Sequence, residues 1–139
     1  MKIKEVMLKP VFVYPNDTKK KILSKVKRNP NTSLFVVATR NKQFLGDIHE
    51  NDLFFMLTPN EMVNEVGLEL AFDLKKKFFA KKAKDLMREH DLSCSPEDEL
   101  IDVAKKFIQA EVNEMPVLKK GKVVGVINQG ILLRQLKIK

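Results

Sequence analysis

Internal repetition is the feature of this 139-residue sequence that most constrains its fold. Four short blocks of the first half return in the same order in the second half, at nearly constant offsets of 79 to 81 residues. The matched blocks are 3–7 with 83–87, 14–17 with 95–98, 34–37 with 115–118, and 44–48 with 123–127. A repeat of this length predicts two supersecondary units of the same design. The chain is therefore predicted to be a tandem of two related units, near 3–57 and 83–139.

Each unit shows the same order of secondary-structure signals. An extended segment ends at a proline and leads into an amphipathic helix, for which Asp17 or Thr18, and Asp98, are capping candidates. Two β-rich runs joined by a polar turn then predict a hairpin, and an apolar stretch at helical spacing predicts a closing helix. The extended segments are 11–14 and 92–95, and the closing helices are 51–57 and 130–136. The predicted fold is α+β, in the order strand, helix, strand, strand, helix, twice.

Composition narrows the class of protein without choosing a partner. The chain has 26 Lys and Arg against 18 Asp and Glu, a net charge of +8 that permits anionic partners. One cysteine, Cys94, excludes an internal disulfide and a four-thiolate zinc site. The longest uncharged stretch, 123–133, is too short to cross a membrane, and the first ten residues lack the apolar run of a signal peptide. We expect a cytoplasmic protein without a metal.

The repeated pattern resembles the cystathionine-β-synthase (CBS) domain, which occurs in pairs called Bateman modules. The residues that carry the resemblance are Val6-Met7 and Leu86-Met87, Pro15 and Pro96, Met115-Pro116-Val117-Leu118, Leu45-Gly46-Asp47-Ile48, and Val124-Gly125-Val126-Ile127. On this basis residues 1–57 form the first CBS motif, 58–82 a helical connector, and 83–139 the second motif. The resemblance implies a pseudo-two-fold disc of two sheets flanked by helices, usually a homodimer. It also implies regulation of an effector protein rather than catalysis.

The resemblance further implies a ligand of the adenosine type, namely AMP, ADP, ATP or S-adenosylmethionine, in the cleft between the motifs, with no cofactor required. Ligand-binding members carry Gly, two apolar residues, Thr or Ser, two variable residues, and then an Asp that accepts hydrogen bonds from the ribose hydroxyls. In the first motif Asp52 occupies the aspartate position, but His49 replaces Thr or Ser and Asp47 replaces an apolar residue. The residues implied for this site are Asp52, His49, Ile48, Lys9, Val11, Leu34, Phe35 and Val36.

Simpler interpretations of these residues remain open. Asp52 is also suited to be the N-cap of a helix over 53–57, as aspartate is in most proteins. His49 is suited to contact a phosphate, or to be an ordinary histidine at the end of a strand, and no histidine spacing indicates a metal site. In the second motif Ile131 replaces the aspartate and cannot bind a ribose, so that site is expected to be degenerate. Its candidate residues are Met115, Pro116, Ile127 and Asn128.

The connector is predicted to contain one helix from about 59 to 78. Acidic and apolar residues each recur every four positions, and lysines follow at the basic end, as the helix dipole favours. The acidic positions are Glu61, Glu65, Glu69 and Asp73, and the apolar ones are Met62, Val66, Leu70, Leu74 and Phe78. The apolar stripe requires burial, either against this chain or against another one. The latter would make the protein a ligand-free dimerisation or interaction module.

Two basic segments support a third function, that of an accessory protein for nucleic acid. Lysines flank Phe78 and Phe79 in the segment 75–82, and 19–28 carries six more basic residues. A solvated helix face explains such runs equally well, and no RNA-binding aromatic motif or phosphate loop accompanies them. No catalytic motif occurs either, so we expect no enzyme activity.

Overall fold

The computed structural model describes residues 1–59, 61 and 72–138, which form two compact units. Each unit combines segments that are distant in the sequence. The first-motif unit comprises residues 11–40 and 45–89, and the second-motif unit comprises 1–10, 41–44 and 90–139. The opening segment of the chain therefore belongs to the unit built on the second motif. Residues 80–89, which open the second repeat, belong to the unit built on the first.

The first-motif unit places helices beside a three-stranded sheet. Its elements are β1 Val11–Val13, α1 Lys19–Arg28, β2 Leu34–Ala38, β3 Phe44–His49 from its second residue on, α2 Glu50–Leu57 and α3 Phe72–Phe79. The strand order is β1-β2-β3, and β1 runs parallel to β2 with Val11 opposite Phe35. Strand β2 is buried along its whole length, as expected for a central strand covered on both faces. The core contains Val13, Ile22, Phe35, Val37, Ile48, Leu53, Met56, Ala80, Ala83 and Leu86.

The second-motif unit repeats this plan. Its elements are α4 Leu100–Ala110, β4 Glu114–Lys119, β5 Lys122–Asn128 and α5 Gln129–Gln135. Strands β4 and β5 form the predicted antiparallel hairpin, and its two turn residues, Lys120 and Gly121, both have positive φ. The core contains Ile3, Cys94, Val103, Phe107, Met115, Val117, Ile127 and Leu132. The predicted α+β fold, with the same order of elements repeated, is confirmed.

The predicted strand 92–95 is an exception to this agreement. Within the described residues, Cys94 is the one member of this segment that pairs with the sheet, in a single parallel bridge to Val117. The bridge has two hydrogen bonds, from the Cys94 N–H to the Pro116 carbonyl and from the Leu118 N–H to the Cys94 carbonyl. Pro116 has no N–H to give, and this limits the ladder that the segment can form with β4.

Asp17 and Asp98 brace the loops before the helices rather than capping the helices, which corrects their prediction as caps. The carboxylates accept the N–H of Tyr14 and Ser95 respectively, each at 2.9 Å. Thr18, the other candidate, is confirmed as the N-cap of α1, and Glu99 occupies the N-cap position of α4 without a side-chain capping bond. The sequence signal was ambiguous because aspartate serves both as a cap and as the acceptor of a tight turn.

A lysine completes each brace at the equivalent position of the following helix. Lys25 donates to the Phe12 carbonyl at 2.9 Å and to Asp17 at 2.7 Å. Lys106 donates to the Ser93 carbonyl at 2.9 Å and lies 3.9 Å from Asp98. Burial alone would raise the pKa of Asp17, but Lys25 and the Tyr14 N–H outweigh burial and hold that pKa below its ordinary value.

Each braced loop receives a short 3₁₀ turn from a distant part of the chain. In the first-motif unit the turn is Ala83–Asp85, whose Ala83 and Lys84 N–H groups donate to the carbonyls of Asp17 and Pro15. In the second-motif unit the turn is Ile3–Glu5, and it docks in the same way on Asp98 and Pro96. These backbone bonds explain why residues 1–10 belong to the second-motif unit and residues 80–89 to the first-motif unit.

The described part of the connector ends in α3, and the first turns of the predicted helix lie outside the described residues. Phe78 is buried and meets the Phe55 ring edge-on, with ring centroids 5.5 Å apart, so this member of the apolar stripe packs on its own chain. The predicted stripe residues Met62, Glu65, Val66, Glu69 and Leu70, and the side chains of Asp73 and Leu74, also lie outside the described residues.

The two braces allow a matched test of stability. The Asp17 side chain is 5% exposed and bonded to Lys25, whereas the Asp98 side chain is 35% exposed. We expect Asp17→Ala to lower the free energy of unfolding by about 2–4 kcal/mol, because it leaves Lys25 without its buried partner. We expect Asp98→Ala to cost about 1 kcal/mol. Urea unfolding of both variants measures this difference, and equal costs would contradict the assigned role of burial.

Candidate functional site

Asp52 is a buried carboxylate in the first turn of α2. The helix begins at Glu50 with His49 in the N-cap position, so Asp52 is not the helix cap. Its relative exposure is 1%, although aspartate is rarely buried to this extent without a partner. The capping interpretation of Asp52 is therefore wrong, and its burial requires another explanation.

Two cations contact one oxygen of this carboxylate. Lys77 Nζ lies 2.8 Å and Arg88 Nη2 lies 3.1 Å from Asp52 Oδ1. The other oxygen, Oδ2, is buried and has no hydrogen-bond partner among the described residues. Burial alone would raise the pKa of Asp52, but hydrogen bonds from Lys77 and Arg88 hold that pKa below its ordinary value. Asp52 is thus an ionised carboxylate with unused acceptor capacity.

Arg88 reaches Asp52 because its backbone is fixed against β3. The N–H of Asp47 donates to the Arg88 carbonyl at 3.0 Å, and the N–H of Arg88 donates back to the Asp47 carbonyl at 2.8 Å. The neighbouring residue has to be glycine, since a Cβ at Gly46 would lie 2.5 Å from the Arg88 carbonyl oxygen. The Gly46-Asp47 pair of the repeat therefore serves to bring residue 88 close to α2.

Lys77 reaches Asp52 from the last turn of α3. This helix is held by the Phe78 contact with Phe55 and by a hydrogen bond from Lys19 Nζ to the Phe78 carbonyl at 3.2 Å. Lys77 Nζ also lies 5.7 Å from the centroid of the Phe55 ring. The connector thus contributes directly to the environment of Asp52.

A cavity of about 340 Å³ opens beside these groups. Its lining residues are Asp52, Lys76, Lys77, Asp85, Leu86, Met87 and Arg88. Three cations and two carboxylates give it a positive balance, with two apolar side chains between them. The carboxylate of such a cavity can accept hydrogen bonds from hydroxyl groups, and its lysines and arginine can bind a phosphate.

Of the residues predicted for the first ligand site, Asp52 is the one that lines this cavity. His49 lies at the end of β3 with Nε2 3.8 Å from Asp47 Oδ1. The side chains of Ile48 and Phe35 are in the hydrophobic core, and Val11 packs against it. Leu34 and Val36 are also buried, and Lys9 is exposed and belongs to the second-motif unit.

Sequence reasoning missed Lys76, Lys77, Asp85 and Arg88 as members of a site around Asp52. The signals were present in another form. Arg88 follows the repeated Leu86-Met87 opening, and Lys77 is part of a lysine run for which the sequence also allows a solvated helix face. Arg88 is 36 residues from Asp52, so only the fold brings them together.

The second motif has no carboxylate at the position of Asp52. Ile131 occupies it and packs against the hydrophobic core. Asn128 caps α5, and its Oδ1 accepts the Ile131 N–H at 2.9 Å. Met115 and Ile127 are core residues, and the buried Pro116 accepts a bond from the Cys94 N–H.

Other site chemistries find no support in the described chain. No group of three or more His, Cys, Asp or Glu residues within the described ranges is arranged to hold a metal ion. Burial raises the pKa of the Cys94 thiol to about 12, so it is not a reactive thiolate. No helix among the described residues has the length and apolarity required to cross a membrane.

Comparison with known proteins agrees with the repeated architecture. The family model described as CBS domain matches residues 3–59 and again 83–138. The uncharacterised protein MJ1426 of Methanocaldococcus jannaschii is 24% identical over 154 aligned positions, covering 98% of this chain and 91% of that protein.

Two solved structures have a similar fold. The structure of CBSX2, a CBS-pair protein of Arabidopsis thaliana, in complex with AMP has a TM-score of 0.72 at 18% identity, covering 96% of this chain and 93% of that one. The CBS domain pair of MJ0100, in complex with 5′-methylthioadenosine and S-adenosyl-L-methionine, has a TM-score of 0.72 at 15% identity, covering 96% and 94%.

The lowered pKa of Asp52 predicts an acid-sensitive contribution to stability. A carboxylate whose pKa falls on folding stabilises the folded chain above its ordinary pKa of 3.8, and this contribution is lost as the pH falls through the folded value. We expect the free energy of unfolding to decrease below about pH 5, and Asp52→Asn to make this decrease shallower.

Urea unfolding between neutral and acidic pH measures this effect. Glu50→Gln is the matched control, because it removes an exposed carboxylate from the same helical turn. Parallel curves for the wild type and Asp52→Asn would contradict the ion-paired state of Asp52.

Proposed function

This chain belongs to the CBS domain family, and on that premise we propose that it is a regulatory module that binds a phosphate-bearing adenosine ligand in its first motif. The observation that carries the proposal is the buried Asp52 carboxylate, whose Oδ2 is unpaired among the described residues, beside a cavity with three cations. A buried acceptor without a partner costs free energy, which a hydroxyl donor from a ligand would recover.

The ligands of related folds favour a ribose as this donor. AMP, 5′-methylthioadenosine and S-adenosyl-L-methionine, which are bound in the CBSX2 and MJ0100 structures, all contain an adenosine with vicinal hydroxyl groups. In our proposal these hydroxyls donate to Asp52. The Arg88 side chain, which is about half exposed, turns toward the ligand phosphate.

The charge of the cavity selects among adenosine ligands. Lys76, Lys77 and Arg88 attract a phosphate and repel the positive sulfonium of S-adenosylmethionine. We therefore place AMP, ADP and ATP ahead of S-adenosylmethionine. The second motif, with Ile131 in place of a carboxylate, contributes no equivalent site, so the proposed stoichiometry is one ligand per chain.

Lys77 gives the proposed module a way to signal. It belongs to α3, and its bond to Asp52 ties the end of the connector to α2. A ribose has two neighbouring hydroxyls, so that one can fill the unpaired Oδ2 while the other competes with Lys77 for Oδ1. Ligand binding would then change how α3 is held, and an effector protein that contacts α3 would sense this change.

We also propose that the module dimerises through apolar grooves that both motifs share. The groove on the first motif is lined by Val26, Leu53, Phe54 and Leu57, and the groove on the second by Phe107, Leu132, Leu133 and Leu136. These sets occupy equivalent positions of the repeat. Phe54 and Leu133 are 69% and 65% exposed, so the repeat retains large apolar side chains at positions that its own core does not bury. A second copy of this chain offers the matching surface.

The ligand proposal is tested by calorimetric titration with AMP, ADP, ATP and S-adenosylmethionine. We expect saturable binding of at least one nucleotide near one site per chain, with S-adenosylmethionine the weakest. Asp52→Asn should lower the affinity roughly tenfold or more, since it removes a charged acceptor of hydroxyl hydrogen bonds. Glu50→Gln, in the same helical turn but outside the cavity lining, should bind like the wild type.

Two results would contradict the ligand proposal. Absence of saturable binding for all four compounds would remove the adenosine ligand. Unchanged affinity in Asp52→Asn would remove the assigned site, provided that the variant retains the cooperative unfolding of the wild type.

The dimer proposal is tested by the mass in solution from light scattering after size-exclusion chromatography. We expect a dimer for the wild type and a shift toward monomer for Leu133→Glu, because it introduces a charge into the apolar groove. Gln109→Glu adds the same charge to an exposed residue of α4 outside the groove lining, and it should remain dimeric. A monomeric wild type would contradict the proposal.

A further inference from the structure

The positive charge of this chain is concentrated in one part of the first motif. Residues 11–40 contain seven basic residues and one acidic residue, a net charge of +6. The equivalent stretch of the second motif, 92–121, contains four basic and six acidic residues, a net charge of −2. The two stretches form the same sequence of loop, helix and strand, so the fold itself does not require the positive charge.

Two of the seven cations, Lys19 and Lys25, have structural roles. Lys25 completes the brace with Asp17, as Lys106 does with Asp98 in the second motif. Lys19 donates to the Phe78 carbonyl and holds α3. These contacts explain Lys19 and Lys25 without any ligand.

The other five cations form an exposed set that we call the cationic face. Its members are Lys20, Lys21, Lys27, Arg28 and Arg40. None of them forms an ion pair within the described residues. The second motif has Ile101, Asp102, Ile108, Gln109 and Gly121 at the equivalent positions.

A cavity of about 330 Å³ lies within the cationic face. It is lined by Tyr14, Asp17, Lys21, Ser24, Lys25, Arg28 and Arg40. The Arg40 guanidinium lies 3.7 Å and Lys25 Nζ lies 4.6 Å from the centroid of the Tyr14 ring. Tyr14 therefore holds a planar guanidinium, the group best suited to phosphate, beside a concave basic surface.

We propose that the cationic face binds the phosphate backbone of a nucleic acid without reading its bases. Lys20 and Lys21 lie in the first turn of α1 and Lys27 and Arg28 in the last, about 10 Å apart along the helix axis. One phosphate cannot contact both ends, whereas a chain of phosphates can. Tyr14 already carries two cations, so recognition relies on charge and not on base stacking.

The apolar residues of α1 disfavour a lipid surface as the alternative. Ile22 is fully buried, and Val26 packs against the core of the unit. At the surface of this helix, Leu23 is 37% exposed and Val26 is half-buried. Helices that lie on membranes insert a broad apolar face, which α1 does not present.

The test is fluorescence anisotropy with labelled 20-nucleotide single-stranded DNA, single-stranded RNA and duplex DNA over a series of salt concentrations. We expect binding at low salt that weakens steeply as salt rises. The variant K20Q/K21Q/K27Q/R28Q should weaken binding by roughly 100-fold at low salt and flatten the salt dependence, because about four phosphate contacts are lost.

A matched variant separates this face from general charge. K105Q/K119Q/K122Q/K137Q removes the same charge from four exposed lysines of the second-motif unit, and it should bind nearly as the wild type does. Asp52→Asn should also leave oligonucleotide binding unchanged, so the outcome is independent of the adenosine proposal.

Three results would overturn this inference. The first is no oligonucleotide binding at low salt. The second is equal weakening in the two quadruple variants. The third is binding to phosphatidylserine-containing vesicles, lost in K20Q/K21Q/K27Q/R28Q, without binding to any oligonucleotide, which would assign the face to a lipid surface.

Discussion

The Asp17 carboxylate is the point from which the rest of the first-motif unit is organised. It fixes the loop before α1 through the Tyr14 N–H and Lys25, and the carbonyls of that loop then receive the turn Ala83–Asp85. This docking leads the chain to Arg88, whose backbone pairs with Asp47 and whose guanidinium reaches Asp52. A chain of hydrogen bonds thus connects a structural carboxylate to the candidate ligand carboxylate, and the second motif repeats its first steps at Asp98.

The fold could be predicted from the sequence because each element has a similar sequence pattern in both motifs. Periodicity and turn residues in one motif confirm those in the other, and this independent agreement gave the order of strands and helices. The candidate site could be predicted only at Asp52. Its partners Lys77 and Arg88 are brought to it by α3 and by the turn at Ala83, and contacts across 25 to 36 residues leave no local pattern. The cap assignment was correct at Thr18 and wrong at Asp98, since an aspartate before a helix does not reveal whether it bonds forward or backward.

Comparison of the two motifs also distinguishes residues that the fold requires from residues that it does not require. Asp52 and Ile131 occupy equivalent positions in two units of the same fold, so a buried carboxylate is not needed to build the motif. Replacing a buried ion pair with an apolar residue is often neutral or stabilising, and the second motif has the apolar residue. The carboxylate in the first motif, with its two cations and one unpaired oxygen within the described chain, is therefore a feature that stability does not explain.

The same comparison links the two features that are particular to the first motif. The cavity at Asp52 and the cationic face both belong to this unit, and α1 and α3 connect them. Lys19, in the first turn of α1, holds the Phe78 carbonyl, and Lys77, one residue earlier in α3, holds Asp52. In the proposed function, a ligand that displaces Lys77 acts on a helix that is bonded to α1 beside Lys20 and Lys21.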